Sequence, residues 1–347
     1  MLSQWKLWVC CALLTLSFKV SRASPGDQLD EFDDCVDACA VAKHCPDAEA
    51  IEEDNPFKND QFADLGLCYK LLLWDCNSDC DYQCQHVITN MRIQNGEEIY
   101  QFHGKWPFKR AFGTQEFYST IFSIGNFVPH YKGFKLCRRA LRKIPRSDQS
   151  RKMLVNYLLV SVAGMLAWTS SSIFHTRDLI ITEKLDYFFA GFTVLTGFHA
   201  IFYRSMRLDL HRKTGSCFSV LVILIFLAHI LRLYLDWSYT YNMRFNVFFG
   251  ILQHMLLVAL ALLNFQRVRS LRSDLIHDLV LVPIGLVVFT SLAMSCELFD
   301  FFSYNFQIDS HAIWHGLTIF PSFYLYPFFL KDYIFLKSKT VVNIKEV

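Results

Sequence analysis

Five polar residues stand where an apolar chain has least use for them. Ser171 and His175 are four positions apart, as are His311 and His315, and Asp186 follows His175 a short way downstream. Residues four apart lie on one helical face. A helix carrying His311 and His315 therefore presents two imidazoles together, and one carrying Ser171 and His175 presents a hydroxyl beside a third. Three imidazoles form the ligand set of a catalytic zinc ion, which keeps a fourth position for water. Zinc held in this way lowers the pKa of that water to about 7 and polarises a carbonyl. His175, His311 and His315 are thus candidate ligands of Zn2+. Asp186 is the candidate to hold the water or take its proton. Ser171 is the candidate to orient the water or hydrogen-bond a developing oxyanion. Ser170 and Ser172 point about 100° to either side of Ser171 on a helix.

The elements that must position these residues are strongly apolar. The chain is 53% hydrophobic and holds 33 Phe, arranged in long runs, which indicates a polytopic all-α membrane protein. In hydrocarbon a polar side chain faces a bundle interior or a watery cavity. Seven transmembrane helices are expected, at roughly 115–131, 153–175, 185–203, 217–235, 245–264, 279–298 and 311–330. The first contains Ser119, Ser123, Asn126 and Pro129, and its apolar run is short.

Loop charge sets the orientation. The loops 132–152, 204–216 and 265–278 and the tail 332–347 are rich in Lys and Arg, with nine in the first alone. The intervening loops are poor in them. The positive-inside rule places the basic loops and the tail in the cytosol. Residues 1–23 read as a signal peptide: Lys6, an apolar run from Leu7 to Phe18, then Ser21-Arg22-Ala23. The mature N-terminus is then lumenal, and seven spans bring the tail to the cytosol, in agreement with the charges. This topology puts Ser171, His175, Asp186, His311 and His315 at one depth in the lumenal leaflet. His199, His229 and His254 are expected to be interhelical hydrogen bonders.

Residues 24–114 form an acidic lumenal segment with seven cysteines. Behind a signal peptide these meet an oxidising compartment and form disulfides. Cys35 and Cys39 share one spacing of four, and Cys76, Cys80 and Cys84 share another, so two short helices stapled face to face are expected. With Cys45 these make six candidates and 15 possible connectivities; Cys68 lies outside both sets. A zinc site built from cysteines is disfavoured, since no CxxC pair occurs. His103, within Gln101-Phe-His-Gly-Lys-Trp-Pro-Phe108, reads as structural, in a collar just before the first span. No glycine-rich phosphate loop and no basic block with interleaved aromatics is present, so nucleotide and nucleic-acid binding have no support.

The pattern Ser171-x3-His175, Asp186, His311-x3-His315 resembles the signature of the superfamily containing alkaline ceramidases and adiponectin/progestin-type receptors, seven-helix proteins with zinc on three histidines. The cysteine cluster, His103-Gly-Lys-Trp-Pro-Phe108, Phe174-His-Thr-Arg-Asp178 and Glu183-Lys-Leu-Asp-Tyr187 narrow the resemblance to the PER-like family, post-GPI-attachment to proteins factor three. It covers essentially the whole chain after the signal peptide; Cys68 departs from the pattern. The resemblance implies a metal-dependent ester hydrolase. Such a protein removes the sn-2 acyl chain from the lipid of GPI-anchored proteins, a phospholipase A2-type step in GPI-anchor remodelling. It implies an endoplasmic reticulum membrane location, with the Golgi as the alternative. Competing readings are an amidase acting on ceramide, a seven-helix receptor with structural zinc, and a non-enzymatic adaptor or chaperone for GPI-anchored proteins acting through residues 24–114.

Overall fold

A computed structural model describes residues 24–46, 48–269, 273–299 and 303–345. The expected signal peptide over 1–23 lies outside the described residues, as does the side chain of Cys68. Two compact units are formed. One comprises the chain up to residue 65 together with 74–107; the other comprises 66–73 and the chain from 108 onward.

The first unit is built on two helices, α1 (Asp30–Ala42) and α3 (Cys76–Asn95), while the short α2 (Leu67–Leu71) belongs to the second unit. Asp30, Glu31 and Asp33 in the first turn of α1 favour the positive end of its dipole. Helix α3 starts at a capping box between Asp75 and Ser78 and stops at Gly96, whose φ of 71° suits a left-handed cap. Three disulfides join the helices: Cys35–Cys84, Cys39–Cys80 and Cys45–Cys76. Two antiparallel helices explain this choice among the fifteen connectivities. Each step of four down α1 is met by a step of four up α3. Cys45 lies past the end of α1, and a turn at His44 (φ 51°) brings it to the last rung. These six sulfurs are therefore not metal ligands. Beside the ladder, Lys43 Nζ and Asp79 Oδ2 form a buried ion pair of 2.6 Å. His103 is structural, as expected: its N–H donates to Asp27 Oδ1 (2.8 Å) and its Nε2 lies 3.0 Å from Asp81 Oδ1.

The second unit holds α4 (Phe117–Arg142), α5 (Arg151–Thr176), α6 (Ile180–Ser205), α7 (Arg212–Leu235) and α8 (Tyr239–Val268). After α9 (Ser273–Ile276) a π-helical turn, His277–Leu281, leads into α10 (Val282–Phe299), and α11 (Ser310–Lys345) ends the bundle. Helices α4, α5, α6, α8, α10 and α11 contact one another in that order, α11 returns to α4, and α7 packs on α6. Besides two isolated bridges, Phe102 with Lys105 and Ala111 with Thr114, the departure from an all-α fold among the described residues is a short hairpin between α10 and α11. Strand β1 (Ser303–Tyr304) pairs antiparallel with β2 (Ile308–Asp309). The hairpin turns at Asn305 and Phe306, both at positive φ, and is held by the Lys109 N–H bond to Phe306 O, 2.7 Å.

Five of these helical segments are long and apolar enough to cross a membrane: α5, α6, α7, α8 and His277–Phe299. Helices α4 and α11, the remaining two of the seven expected spans, fall short in apolarity and not in length, at 26 and 36 residues. Helix α4 is inside out. Ser119, Ser123, Asn126 and His130 are buried, while Ile121, Ile124 and Val128 are exposed. On α7, Val220, Leu221, Ile223, Leu224, Leu227 and Leu231 are each more than half exposed. A water-soluble monomer does not carry apolar patches of that extent, and the protein is a multi-pass membrane protein.

One end of the bundle is locked by charge. Arg204 Nε and Nη2 donate to the two oxygens of Asp332 at 2.5 and 2.8 Å, and Asn264 Nδ2 donates to Asp332 Oδ1 at 2.9 Å. Both charged residues are almost fully buried. Nearby, Tyr157 stacks on Phe329 at 4.2 Å. Removing one member of a buried pair strands the other, which costs about 3–5 kcal/mol, whereas replacing both by apolar groups is far milder. Asp332→Ala is therefore expected to lower the thermal unfolding midpoint in detergent sharply. The double variant Arg204→Met, Asp332→Leu should recover most of that loss.

Candidate metal centre

The bundle end away from Arg204 and Asp332 gathers three histidines. His175 comes from the last turn of α5, and His311 and His315 from the first turns of α11. One ring nitrogen from each lies within 4.8 Å of the others, so the three could hold one metal ion. His175 and His315 are buried, and His311 is partly open.

Backbone bonding explains why these helix ends meet. The last carbonyls of a helix lack intrahelical partners. Here the N–H of Glu116 donates to His175 O (2.9 Å) and that of Gln115 to Thr176 O (3.0 Å). The start of α4 is thereby tied to the end of α5. Asp309 Oδ1 accepts from Ala312 N (2.8 Å) and caps the start of α11. Asn126 Nδ2 donates to His315 O at 2.6 Å, joining α11 to α4.

Each imidazole is gripped through Nδ1. Glu116 Oε2 stands 2.9 Å from His175 Nδ1, Glu297 Oε2 stands 2.6 Å from His311 Nδ1, and Ser123 Oγ stands 2.9 Å from His315 Nδ1. An ionised carboxylate only accepts hydrogen bonds, so the Nδ1 atoms of His175 and His311 carry the proton. Ser123 Oγ donates to Ser119 O (2.7 Å), which spends its one proton, so it accepts from His315 Nδ1. All three Nε2 atoms are left as lone-pair donors. A carboxylate or other acceptor behind a ligating histidine is the usual means of fixing its tautomer and raising its basicity. Tyr239 OH in turn donates to Glu297 Oε1 at 3.1 Å.

This donor set fits a metal. The Nε2 atoms of His175 and His311 are 3.3 Å apart. Two lone pairs at that separation repel, and a cation between them removes the repulsion. Two nitrogens each about 2.0–2.1 Å from one tetrahedral zinc would stand about 3.3–3.4 Å apart. The rings of Trp168 and His315 meet edge to face (5.1 Å between centroids), as do those of Trp314 and His311 (5.2 Å), which lowers the polarity around the cluster.

Ser171 is buried beside the cluster, with its Oγ 3.1 Å from Ser123 Oγ. Ser123 has no second proton to give, so Ser171 is the donor and keeps its lone pairs. Ser172 is half-buried and donates to Thr169 O (2.9 Å). Asp186 is half-buried in the second turn of α6. The Nδ1 positions are taken by Glu116, Glu297 and Ser123, so a part for Asp186 would lie on the Nε2 side. The remaining intramembrane histidines bond between helices, as expected. His199 Nε2 meets Ser219 Oγ at 2.9 Å, His229 Nδ1 meets Tyr241 OH at 3.3 Å, and His254 Nε2 meets Thr290 Oγ1 at 3.0 Å.

The reading from spacing did not identify Glu116, Glu297 and Ser123. Glu297 had a visible signal, since it is a lone carboxylate at the end of an apolar run. Ser123 was visible only as a defect in the first span. Glu116 precedes that span, where acidic residues are common for helix-dipole reasons alone.

Fold and site together define a multi-pass membrane protein with a buried three-histidine cluster at one end of a helical bundle. Residues 66–333 match the Per1-like family, and the chain belongs to that family. It is 55% identical to Protein PER1 of Saccharomyces cerevisiae, over 95% of this chain and 98% of that protein. It is 35% identical to the Protein PER1 homolog of Schizosaccharomyces pombe, over 94% and 93%. It is 32% identical to the human protein named GPI-specific phospholipase A2-like PGAP3, over 92% of each chain. No solved structure matches the chain.

If the residues behind the imidazoles orient them for a metal, losing one weakens the site without emptying it. Glu116→Gln and Glu297→Gln are each expected to lower zinc affinity about 10–100-fold. Competition against a zinc chelator with the purified protein measures this. Ser219→Ala, on α7, which supplies none of these groups, should leave the affinity unchanged.

Proposed function

We propose that the protein is a zinc-dependent phospholipase A2-type hydrolase that removes the sn-2 acyl chain from the lipid of GPI-anchored proteins. The observation that carries this reading is the set of three imidazoles with their Nδ1 atoms held and one ring nitrogen of each within 4.8 Å of the others. The name borne by the 32–33% identical vertebrate relatives supports the substrate class. In the proposed topology α4 and α11 complete seven spans. Residues 24–114 form a lumenal domain, 115–331 the hydrolase domain and 332–347 a cytosolic tail. The cluster then opens toward the lumenal leaflet of the endoplasmic reticulum membrane, at the depth of an ester just below the headgroups.

His175, His311 and His315 would hold the ion, which when bound supplies a water of lowered pKa and polarises the ester carbonyl. Glu116, Glu297 and Ser123 keep the imidazoles in the ligating tautomer. Ser171, whose proton is directed to Ser123, accepts a hydrogen bond from the attacking water and orients it. This favours the water-orienting part for Ser171 over donation to an oxyanion. Asp186 takes the proton of the water and returns it to the departing glycerol oxygen. The indole rings of Trp168 and Trp314 exclude bulk water. An ester in this position leaves as a free fatty acid and a lysolipid that keeps its protein.

Purified protein and a GPI-anchored substrate with distinguishable sn-1 and sn-2 chains test the reading by mass spectrometry of released fatty acid. Wild type should release the sn-2 chain, and His311→Ala should release none. Absence of release by zinc-loaded wild type, with substrate still bound, would move the assignment to an adaptor for GPI-anchored proteins. Ser171→Ala and Asp186→Ala should each lower turnover by about 100-fold or more while retaining zinc. Normal turnover in either would remove that residue from the mechanism.

A further inference from the structure

Away from the histidines, α4 and α11 part to leave a crevice of about 280 Å³. Its lining has two characters. Phe323, Tyr326 and Pro327 form an apolar wall, and Lys132, Lys135 and Arg139 stand along the α4 side. Gly133 lets the Tyr326 ring pack directly on α4, since a Cβ there would come within 2.3 Å of that ring. Tyr326 is fixed from behind by a 2.5 Å hydrogen bond between its hydroxyl and His130 Nδ1.

The three cations are exposed, and among the described residues they form no ion pair. Lys132 Nζ lies 4.8 Å from the Phe323 ring centroid and Lys135 Nζ lies 4.2 Å from that of Tyr131. Lys132 and Arg139 follow Ser123 by about 14 and 24 Å of helix. In a hydrocarbon core of about 30 Å, Arg139 approaches the interface opposite the histidine cluster, while Lys132 and Lys135 stand short of it and extend long side chains toward it. Long basic side chains there lay their stems on apolar surface and hold their charge at phosphate level. Basic pockets between transmembrane helices on the cytoplasmic side suit anionic lipid headgroups.

We propose that this crevice binds one anionic glycerophospholipid of the bilayer. Its phosphate lies against Lys132, Lys135 and Arg139, and an acyl chain runs along Phe323, Tyr326 and Pro327. The inference rests on the reading that α4 and α11 cross the membrane. A free phosphate would need no apolar wall, and a diffuse surface attraction would need no crevice.

The test uses the full-length protein with mixed phosphatidylinositol and phosphatidylcholine, and native mass spectrometry to count retained lipids. Wild type should keep one phosphatidylinositol. The variant K132Q/K135Q/R139Q should lower the occupancy ratio of phosphatidylinositol to phosphatidylcholine about a hundredfold. The variant R142Q/K143Q/R146Q removes as much charge from exposed positions nearby and should leave the ratio as in wild type. Equal losses in both variants would reduce the effect to surface charge and overturn the site. Displacement of the bound lipid by an equal concentration of soluble glycerophosphoinositol would also overturn it. Fatty-acid release by the same preparations reports the histidine cluster separately, so failure of the crevice and failure of the hydrolase assignment are told apart.

Discussion

A polar atom inside a bundle wrapped in hydrocarbon has no water to fall back on, and the architecture of the second unit answers that constraint atom by atom. His175, His311 and His315 each spend one nitrogen on an acceptor supplied by a different helix: Glu116 before α4, Glu297 on α10, and Ser123 within α4. Those acceptors are themselves held, Glu297 by Tyr239 and Ser123 by the carbonyl of Ser119. The result is a site in which one ring nitrogen of each histidine lies within 4.8 Å of the others. Losing any of these supports leaves a buried group unpaired, which is dearer than never having placed it there.

Much of this was legible from spacing. The HxxxH of His311 and His315 and the SxxxH of Ser171 and His175 become neighbours because a helix brings round every fourth residue. The loop charges and helix polarity then place both pairs at one end. What spacing does not carry is the partner across a helix interface. Glu116 and Glu297 are far apart in the chain, and only the ring order of α4, α5, α10 and α11 brings them behind adjacent imidazoles. Ser119, Ser123 and Asn126 read in one dimension as a weak span, because hydropathy averages around the helix. The fold separates them into a polar stripe turned inward and an apolar face turned outward. The disulfide pairing was likewise open until the antiparallel course of α1 and α3 selected one ladder.

The two units use different means to reach order. The N-terminal unit has a small core around Phe32, Ile88 and Phe102, and covalent rungs limit its unfolded ensemble. The membrane unit carries no disulfide among its described residues; its free cysteines are Cys137, Cys217 and Cys296. It relies on interdigitated aromatic packing and on the Arg204–Asp332 lock at the end opposite the histidines.

The pairing of α4 with α11 also bears on how the chain is made. The first long helix of the bundle to leave the ribosome packs against the last. Until α11 emerges, Asn126 lacks the His315 carbonyl, Ser123 lacks the His315 ring and His130 lacks Tyr326. Within α4 alone, Ser123 and Asn126 have only the carbonyls of Ser119 and Phe122 to turn to, so its polar stripe is answered in part. A chain stopped short of α11 leaves Ser123, Asn126 and His130 without the partners that the last helix supplies.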